Sequence, residues 1–298
     1  AIGALTGSGY IGNGGNYGSS TNTLTIGSKN TNFTFSGSIN GSNVVKDGTG
    51  IWTISSEDVL GNAKSLKIVN GAVKLNKAAA TRTMTSPTIA YVQDEGELRG
   101  LGYAYGINML SGGSLRPGNN APENQTKNTG VIYIEKNLNA EAGSNIYVNK
   151  TKADSLSINN ITGAKSQAWA FVKVGGNAML NGTINVTYGG DYVRVIKCDG
   201  TISGTPTFNL QELPAGLGWD TSSILTEGII RVTTSTGISN ISTDTSFVAD
   251  VYTLGGMKVL TGILTNKETL ASDLKRHGLP AGMYIVIMPN GALKVSIK

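Results

Sequence analysis

The stretch "DEGE" brings three carboxylates, Asp94, Glu95 and Glu97, into four consecutive residues. Grouped acids of this kind perform general acid–base catalysis in enzymes that cleave glycans, and they can also bind a cation. If the stretch is a strand, the adjacent Asp94 and Glu95 point to opposite faces and cannot act together. Polar residues are also expected at a glycine turn. The pattern therefore favours a structural role, with catalysis and cation binding as alternatives.

Four tyrosines are candidate ligand-binding residues. Tyr103 and Tyr105 are two positions apart, so on a strand they would share one side and could stack against a sugar ring. Tyr188 and Tyr192 flank the sequence "GGD" and could line a loop. Glycan binding is one hypothesis for these residues, and ordinary packing is the other.

The sequence gives little support for a catalytic thiol, a zinc site or a dinucleotide-binding site. Cys198 is the single cysteine and His277 the single histidine, far apart in the chain, whereas a catalytic thiol or a zinc site needs such residues together. Gly100, Gly102 and Gly106 have the look of a phosphate-binding loop. However, "INMLSGGSLRPG" follows them, and its glycine pair and proline cannot form the helix that a dinucleotide site requires. We therefore predict no catalytic residues, no metal and no cofactor.

The composition is that of a folded, charge-poor chain. Of the 298 residues, 41 are Gly, 14% are charged and 39% are apolar, which suffices for a core. The net charge is +5, but Lys and Arg are scattered, which favours a solvated surface over nucleic-acid binding. No apolar run approaches the roughly 20 residues that span a bilayer. The start, "AIGALTGSGY", lacks the features of a signal peptide and predicts a processed end or the middle of a longer protein.

Short alternating segments run along most of the chain, for example "NTLTIG", "GIWTIS", "SLKIVNGAVKLN" and "SNIYVN". Period-two alternation bounded by Gly and Asn predicts half-buried strands and an all-β fold. A compact sandwich or barrel and a solenoid are both consistent with this pattern. "LTGSGYIG" at 5–12 is echoed by "LRGLGYAYG" at 98–106, and such repetition without intervening helices favours a β-solenoid.

One segment, "KDGTGIWTISSEDVLGNAKSLKIVNGAVKLN", resembles the autotransporter-associated β-strand repeat. The residues that carry the resemblance are Gly50, Trp52, Thr53, Ile54, Gly71, Val73 and Leu75. The segments "LRGLGYAYGINMLSGGSLRPGNN" and "LPAGLGWDTSSILTEGIIRV" are similar to later parts of the same proteins. The resemblance implies a right-handed parallel β-helix over residues 1–240, as in autotransporter passengers and related adhesins.

The C-terminal part resembles a different module, the sorting domain of the type IX secretion system. The matching elements are "VYTLGGMKV", "LPAGMYIV" and "ALKVSIK", and the residues of the sorting-signal motif are Leu279, Pro280, Gly282 and Tyr284. This resemblance implies a small antiparallel β-sandwich, which with the Ser/Thr-rich linker before it makes up residues 241–298. In "NKETLASDL", Glu268, Leu270 and Leu274 allow a narrow apolar face and predict one or two helical turns. The resemblance also implies a secretion-machinery partner for residues 250–298.

Together these features predict a secreted protein on the outer surface of a Gram-negative bacterium. The main hypothesis is a non-catalytic, adhesin-like module that binds a glycan or a host protein. The alternatives are the stalk of a larger autotransporter-like protease of the immunoglobulin A protease type, and a β-helix enzyme that degrades polysaccharides.

Overall fold

A computed structural model describes residues 1–12, 22–76, 88–118, 130–149, 170–187, 192–234, 247–266, 269–288 and 291–297. These residues are predominantly strand, which confirms the all-β prediction. They divide into two compact units, residues 1–213 with 219–233, and residues 214–218 with 234–298. The predicted boundary after residue 240 falls outside the described residues.

The described residues up to 234 form strands of two to 16 residues and one helical turn. The strands in the first half are β1 (Tyr10–Ile11), β2 (Thr23–Ile26), β3 (Phe33–Thr34), β4 (Ser38–Ile39), β5 (Asn43–Lys46), β6 (Ile51–Ile54), β7 (Ser65–Asn76), β8 (Ile89–Ala104), β9 (Gly106–Met109) and β10 (Ser114–Pro117). They continue with β11 (Gly130–Ile134), β12 (Leu138–Ala140), β13 (Asn145–Asn149), β14 (Ala170–Val174), β15 (Ala178–Leu180), β16 (Thr183–Thr187), β17 (Tyr192–Arg194), β18 (Ile196–Cys198), β19 (Ile202–Ser203), β20 (Thr207–Leu210), β21 (Leu217–Asp220), α1 (Ile224–Glu227) and β22 (Ile229–Thr234).

Most of these strands pair in parallel, in three ladders. The first ladder joins β2, β5, the first part of β7, the first part of β8, β9, β12, β15 and β19. The second joins β3, β6, the later parts of β7 and β8, β10, β13, β16 and β20. The third joins the end of β8 to β11, β14 and β18. From β8 to β20, apart from β17, successive strands along the chain belong to the first, second and third ladders in a repeating order.

Apolar residues stack in register along the inner side of each ladder. In the second ladder the row is Phe33, Trp52, Val73, Leu98, Leu115, Ile146, Ile184 and Phe208. Trp52 is fully buried and its ring stacks on Phe33 with 6.1 Å between ring centres. Since side chains alternate between the faces of a strand, the residues between these positions lie on the outer face.

At the corners, where the chain passes from one ladder to the next, two backbone segments lie so close together that a side chain does not fit between them. Gly71 has φ +64°, and a Cβ there would lie 2.4 Å from the Gly48 carbonyl oxygen. Gly100 has φ +99°, and its Cβ would lie 2.0 Å from the carbonyl oxygen of Leu75. After Gly106 the chain continues as strand β9 rather than as a helix. Gly100 therefore permits close packing of neighbouring strands, and the geometry of a dinucleotide loop is absent from the stretch Gly100–Gly106.

Lys46 is a buried charge inside the otherwise apolar inner row of the first ladder. It pairs with Ile26 on one side and with Ile68 on the other. Its Nζ atom donates to the carbonyl oxygens of Asp47 at 3.2 Å, Gly48 at 2.6 Å and Asn70 at 3.1 Å. Burial lowers the pKa of Lys46, and the Asp47 carboxylate opposes this in part. The ammonium group thus ties two successive corners together.

The second unit contains β23 (Phe247–Thr253), β24 (Lys258–Thr265), α2 (Leu270–Arg276), β25 (Gly282–Met288) and β26 (Gly291–Ile297). The strands form one antiparallel sheet in the order β24–β23–β25–β26. Helix α2 confirms the helical turns expected in "NKETLASDL", and its Leu270 and Leu274 share a core with Val251 and Val286. The predicted sandwich needs a second sheet, and the described residues of this unit have a helix on the buried face instead.

Candidate ligand-binding face

Tyr103 lies at the end of β8, where the third ladder begins, and Tyr105 directly follows that strand. The Tyr103 side chain is only 4% exposed, and its ring lies 5.4 Å from that of Tyr133, tilted by 50°. Tyr105 is half-buried, and the Nζ atom of Lys136 lies 5.6 Å from its ring centre. Because Tyr103 is buried, the neighbouring ring of Tyr133 is the one that could contact a ligand. No local pattern in the sequence identifies Tyr133 as a candidate.

Tyr133 belongs to a row of side chains on the outer face of the third ladder. The strand pairing places Tyr103 beside Tyr133, Tyr133 beside Lys173, and Lys173 beside Lys197. We call these four residues the Tyr–Lys column. The intervening Ile132, Ile134, Val172 and Val174 are buried in the core.

Exposure rises along the Tyr–Lys column. Tyr103 is buried, Tyr133 and Lys173 are half-buried, and Lys197 is exposed. The Nζ atom of Lys173 lies 5.3 Å from the centre of the Tyr133 ring, within the range of a cation–π interaction. The column thus presents an aromatic ring followed by two cations, at the roughly 4.8 Å spacing of neighbouring strands.

The other two candidate tyrosines are not part of this column. Tyr192 begins β17 and pairs with Arg231 of the antiparallel strand β22. Its side chain is half-buried. Tyr188 lies outside the described residues.

The acidic cluster separates into two environments. Asp94 has φ +54° and is exposed, as is Glu95. Glu97 lies on the outer face of the second ladder, where its Oε1 is 3.2 Å from the Nε of Arg99 and its Oε2 contacts the Nε of Arg116. Both oxygens of Glu97 therefore face guanidinium groups, and this carboxylate is the counter-ion of two arginines.

Arg116 makes a second contact, because its guanidinium carbon lies 3.3 Å from the ring centre of Tyr147. We call Glu97, Arg99, Arg116 and Tyr147 the arginine cluster. These residues come from three strands, β8, β10 and β13. Sequence reasoning identified only Glu97 among them, since the pairing of distant strands creates the cluster.

Cys198 and His277 occupy structural positions. The Sγ atom of Cys198 lies 3.0 Å from the Gly176 carbonyl oxygen, and burial raises the pKa of this thiol, which disfavours the reactive thiolate. His277 ends helix α2, and its backbone N–H donates to Asp273. Within the described ranges, no group of three His, Cys, Asp or Glu side chains is placed to hold a metal.

The residues of the predicted sorting-signal motif form a local contact in the second unit. Tyr284 is buried in the core on β25, and its hydroxyl donates to the carbonyl oxygen of Pro280 at 3.0 Å. Gly282 begins β25, and Leu279 packs partly buried against the same core. The motif thus joins the segment after α2 to strand β25.

No protein-family model matches this chain, and no curated protein matches it at a significant level. The resemblances to autotransporter repeats and to a type IX sorting domain therefore stay predictions. In the part of the chain that the structure describes, no helix is long and apolar enough to cross a membrane.

Proposed function

We propose that this chain is a secreted, adhesin-like module of the cell surface that binds a glycan without catalysis. In this proposal the three ladders are the faces of a right-handed parallel β-helix. The support is that successive strands from β8 to β20, apart from β17, belong to the first, second and third ladders in a repeating order. The observation that carries the binding proposal is the Tyr–Lys column on the outer face of the third ladder.

The chemistry of the column suits a sugar. A tyrosine ring offers a flat face to the C–H groups of a pyranose, and the ring of Tyr133 is partly exposed. Lys173 and Lys197 can donate hydrogen bonds to hydroxyl or acidic groups of the next sugar. Because parallel pairing repeats the spacing from strand to strand, the column matches an extended chain better than a compact ligand.

The proposed route to the surface rests on the second unit. Residues 250–298 would act as the sorting domain that the secretion machinery recognises. The support is that β23–β26 and α2 form a core of their own, as expected of a separate module. A polysaccharide-degrading enzyme is less well supported, because Glu97 is the counter-ion of two arginines.

The test is glycan binding by the wild type and by Tyr133→Ala and Lys173→Gln variants, measured on an oligosaccharide array and then by calorimetry. We expect Tyr133→Ala to weaken binding about tenfold, since an aromatic contact and a cation–π contact are lost. The matched control is Tyr91→Ala, which removes a half-buried tyrosine from the outer face of the first ladder.

An equal loss of glycan affinity in Tyr91→Ala and Tyr133→Ala would contradict glycan binding at the Tyr–Lys column. Binding to host proteins with no glycan bound would replace the glycan proposal by the protein alternative. Release of reducing ends from any oligosaccharide on the array would contradict the non-catalytic proposal.

A further inference from the structure

The outer face of the second ladder carries three cations side by side. Strand pairing places Lys74 of β7 beside Arg99 of β8, and Arg99 beside Arg116 of β10. The neighbours Val73, Leu75, Leu98 and Leu115 are fully buried. The cations therefore share the outer face, on strands about 4.8 Å apart.

This row has an excess of positive charge. In the part of the chain that the structure describes, Glu97 is the acid that pairs with the arginines of this row, so the row has three cations and one paired carboxylate. Like charges on directly neighbouring strands repel one another. An anionic ligand would remove that repulsion.

The arginines are held in place by the rest of the cluster. Glu97 contacts the Nε atom of each arginine, and Tyr147 supports the guanidinium plane of Arg116. The Arg99 side chain is 16% exposed and that of Arg116 23% exposed. A guanidinium group that is positioned in advance and partly shielded from water binds carboxylate or sulfate more strongly than a mobile surface lysine.

A neutral polar surface continues from the arginine cluster along the same ladder. Asn209 donates to Asn185 at 2.9 Å, and Asn185 donates to Asn145 at 3.2 Å. Beside this amide row, the hydroxyl groups of Thr183 and Thr207 are 2.8 Å apart. Amides and hydroxyls on one face can exchange hydrogen bonds with sugar hydroxyls.

We infer that the outer face of the second ladder is a second binding site, for the carboxylate or sulfate groups of an acidic polysaccharide. Arg99 and Arg116 receive the acidic group, and the asparagine and threonine rows receive neighbouring sugars. This face is distinct from the Tyr–Lys column and its test is independent. An acidic glycan is favoured over nucleic acid, because amides and hydroxyls rather than further cations follow the arginines.

Two variants with opposite effects on charge provide the test. Arg116→Gln removes a cation, whereas Glu97→Gln removes the competing carboxylate. Both disturb the same ion cluster, so loss of stability would shift binding in the same direction for both. The probes are an oligogalacturonate, a heparin-derived oligosaccharide, a neutral galactose oligomer and a DNA oligonucleotide, each titrated by calorimetry at low and high salt.

We expect Arg116→Gln to lower affinity for the acidic oligosaccharides about tenfold, as for loss of a charge-assisted hydrogen bond. Glu97→Gln should raise that affinity several-fold. The control, Lys136→Gln, makes the same charge change in the bend between β11 and β12, where 55% of the lysine side chain is exposed, and should have little effect. Preference for oligogalacturonate would assign carboxylate as the ligand group, and preference for the heparin fragment would assign sulfate.

Loss of affinity in both cluster variants, or an equal loss in Lys136→Gln, would overturn the inference. Tighter binding of DNA than of either acidic oligosaccharide would also overturn it. The Tyr133→Ala variant separates the two sites, since it should leave acidic binding at the arginine cluster unchanged.

Discussion

Replacing Lys46 with methionine tests how the first unit is held together. Methionine has a similar length and suits an apolar row, but it cannot donate to Asp47, Gly48 and Asn70. A buried carbonyl group that loses its donor costs about 1–3 kcal/mol. Removal of a buried charge offsets part of this loss. We therefore expect Lys46→Met to lower the free energy of unfolding by about 3 kcal/mol at pH 7.

The pH dependence of this difference is the sharper test. The folded-state pKa of Lys46 lies below its ordinary value of 10.5, so between these two values the unfolded chain binds more protons. Wild-type stability then rises with pH in that window, by at most about 1.4 kcal/mol per pH unit for one proton. The variant lacks this contribution. The destabilisation by Lys46→Met should therefore be larger at pH 10 than at pH 7.

Urea denaturation of the wild type and the variant at several pH values between 7 and 10.5 measures this effect. The matched control is Lys67→Met on the outer face of the first ladder, which should cost less than about 0.5 kcal/mol at pH 7. A difference between Lys46→Met and wild type that stays constant or shrinks as pH rises would refute the reasoning.

Two further predictions concern a corner and the second unit. Gly71→Ala should lower the free energy of unfolding by more than about 3 kcal/mol, because the strain of a left-handed backbone conformation adds to the overlap of the new Cβ with the Gly48 carbonyl. The control is Gly7→Ala, which has a positive φ but open space at its Cβ. It should cost only the backbone strain, about 1–2 kcal/mol. Thermal melts would compare the two, and equal costs would contradict the proposed overlap. Hydrogen bonds from Thr265 and Thr269 lower the pKa of Asp273, so its stabilisation should be present above pH 4 and lost as pH falls through the lower folded-state value. Melts of the wild type and Asp273→Asn from pH 6 to 2 should converge on acidification, and parallel curves would count against this role.

The strands themselves were largely predictable from the sequence. In "IWTI" at Ile51–Ile54 the alternation of half-buried and buried residues follows the period-two pattern, and Trp52 is one of the buried residues. Lys46 is the exception in the neighbouring strand β5. It takes an inward position because the corner carbonyl groups of Asp47, Gly48 and Asn70 converge there, and polarity alone gives no sign of such a convergence.

The candidate sites were predictable only in part. Local spacing identified Tyr103 and Glu97 but not their partners Tyr133 and Arg116. The partners lie in other strands, and a shift of one residue in pairing would turn them to the opposite face. For the same reason no pattern in the sequence indicates that Lys173 lies beside Tyr133.

The sequence by itself therefore determined the all-β character and the apolar inner rows. Those properties follow from local sterics and from the burial of apolar side chains. The tertiary structure decided which outward residues became neighbours, including the Tyr–Lys column and the arginine cluster. Neighbourhood on a parallel ladder depends on the register between segments that are distant in the chain, and that register is set by packing of the whole inner core.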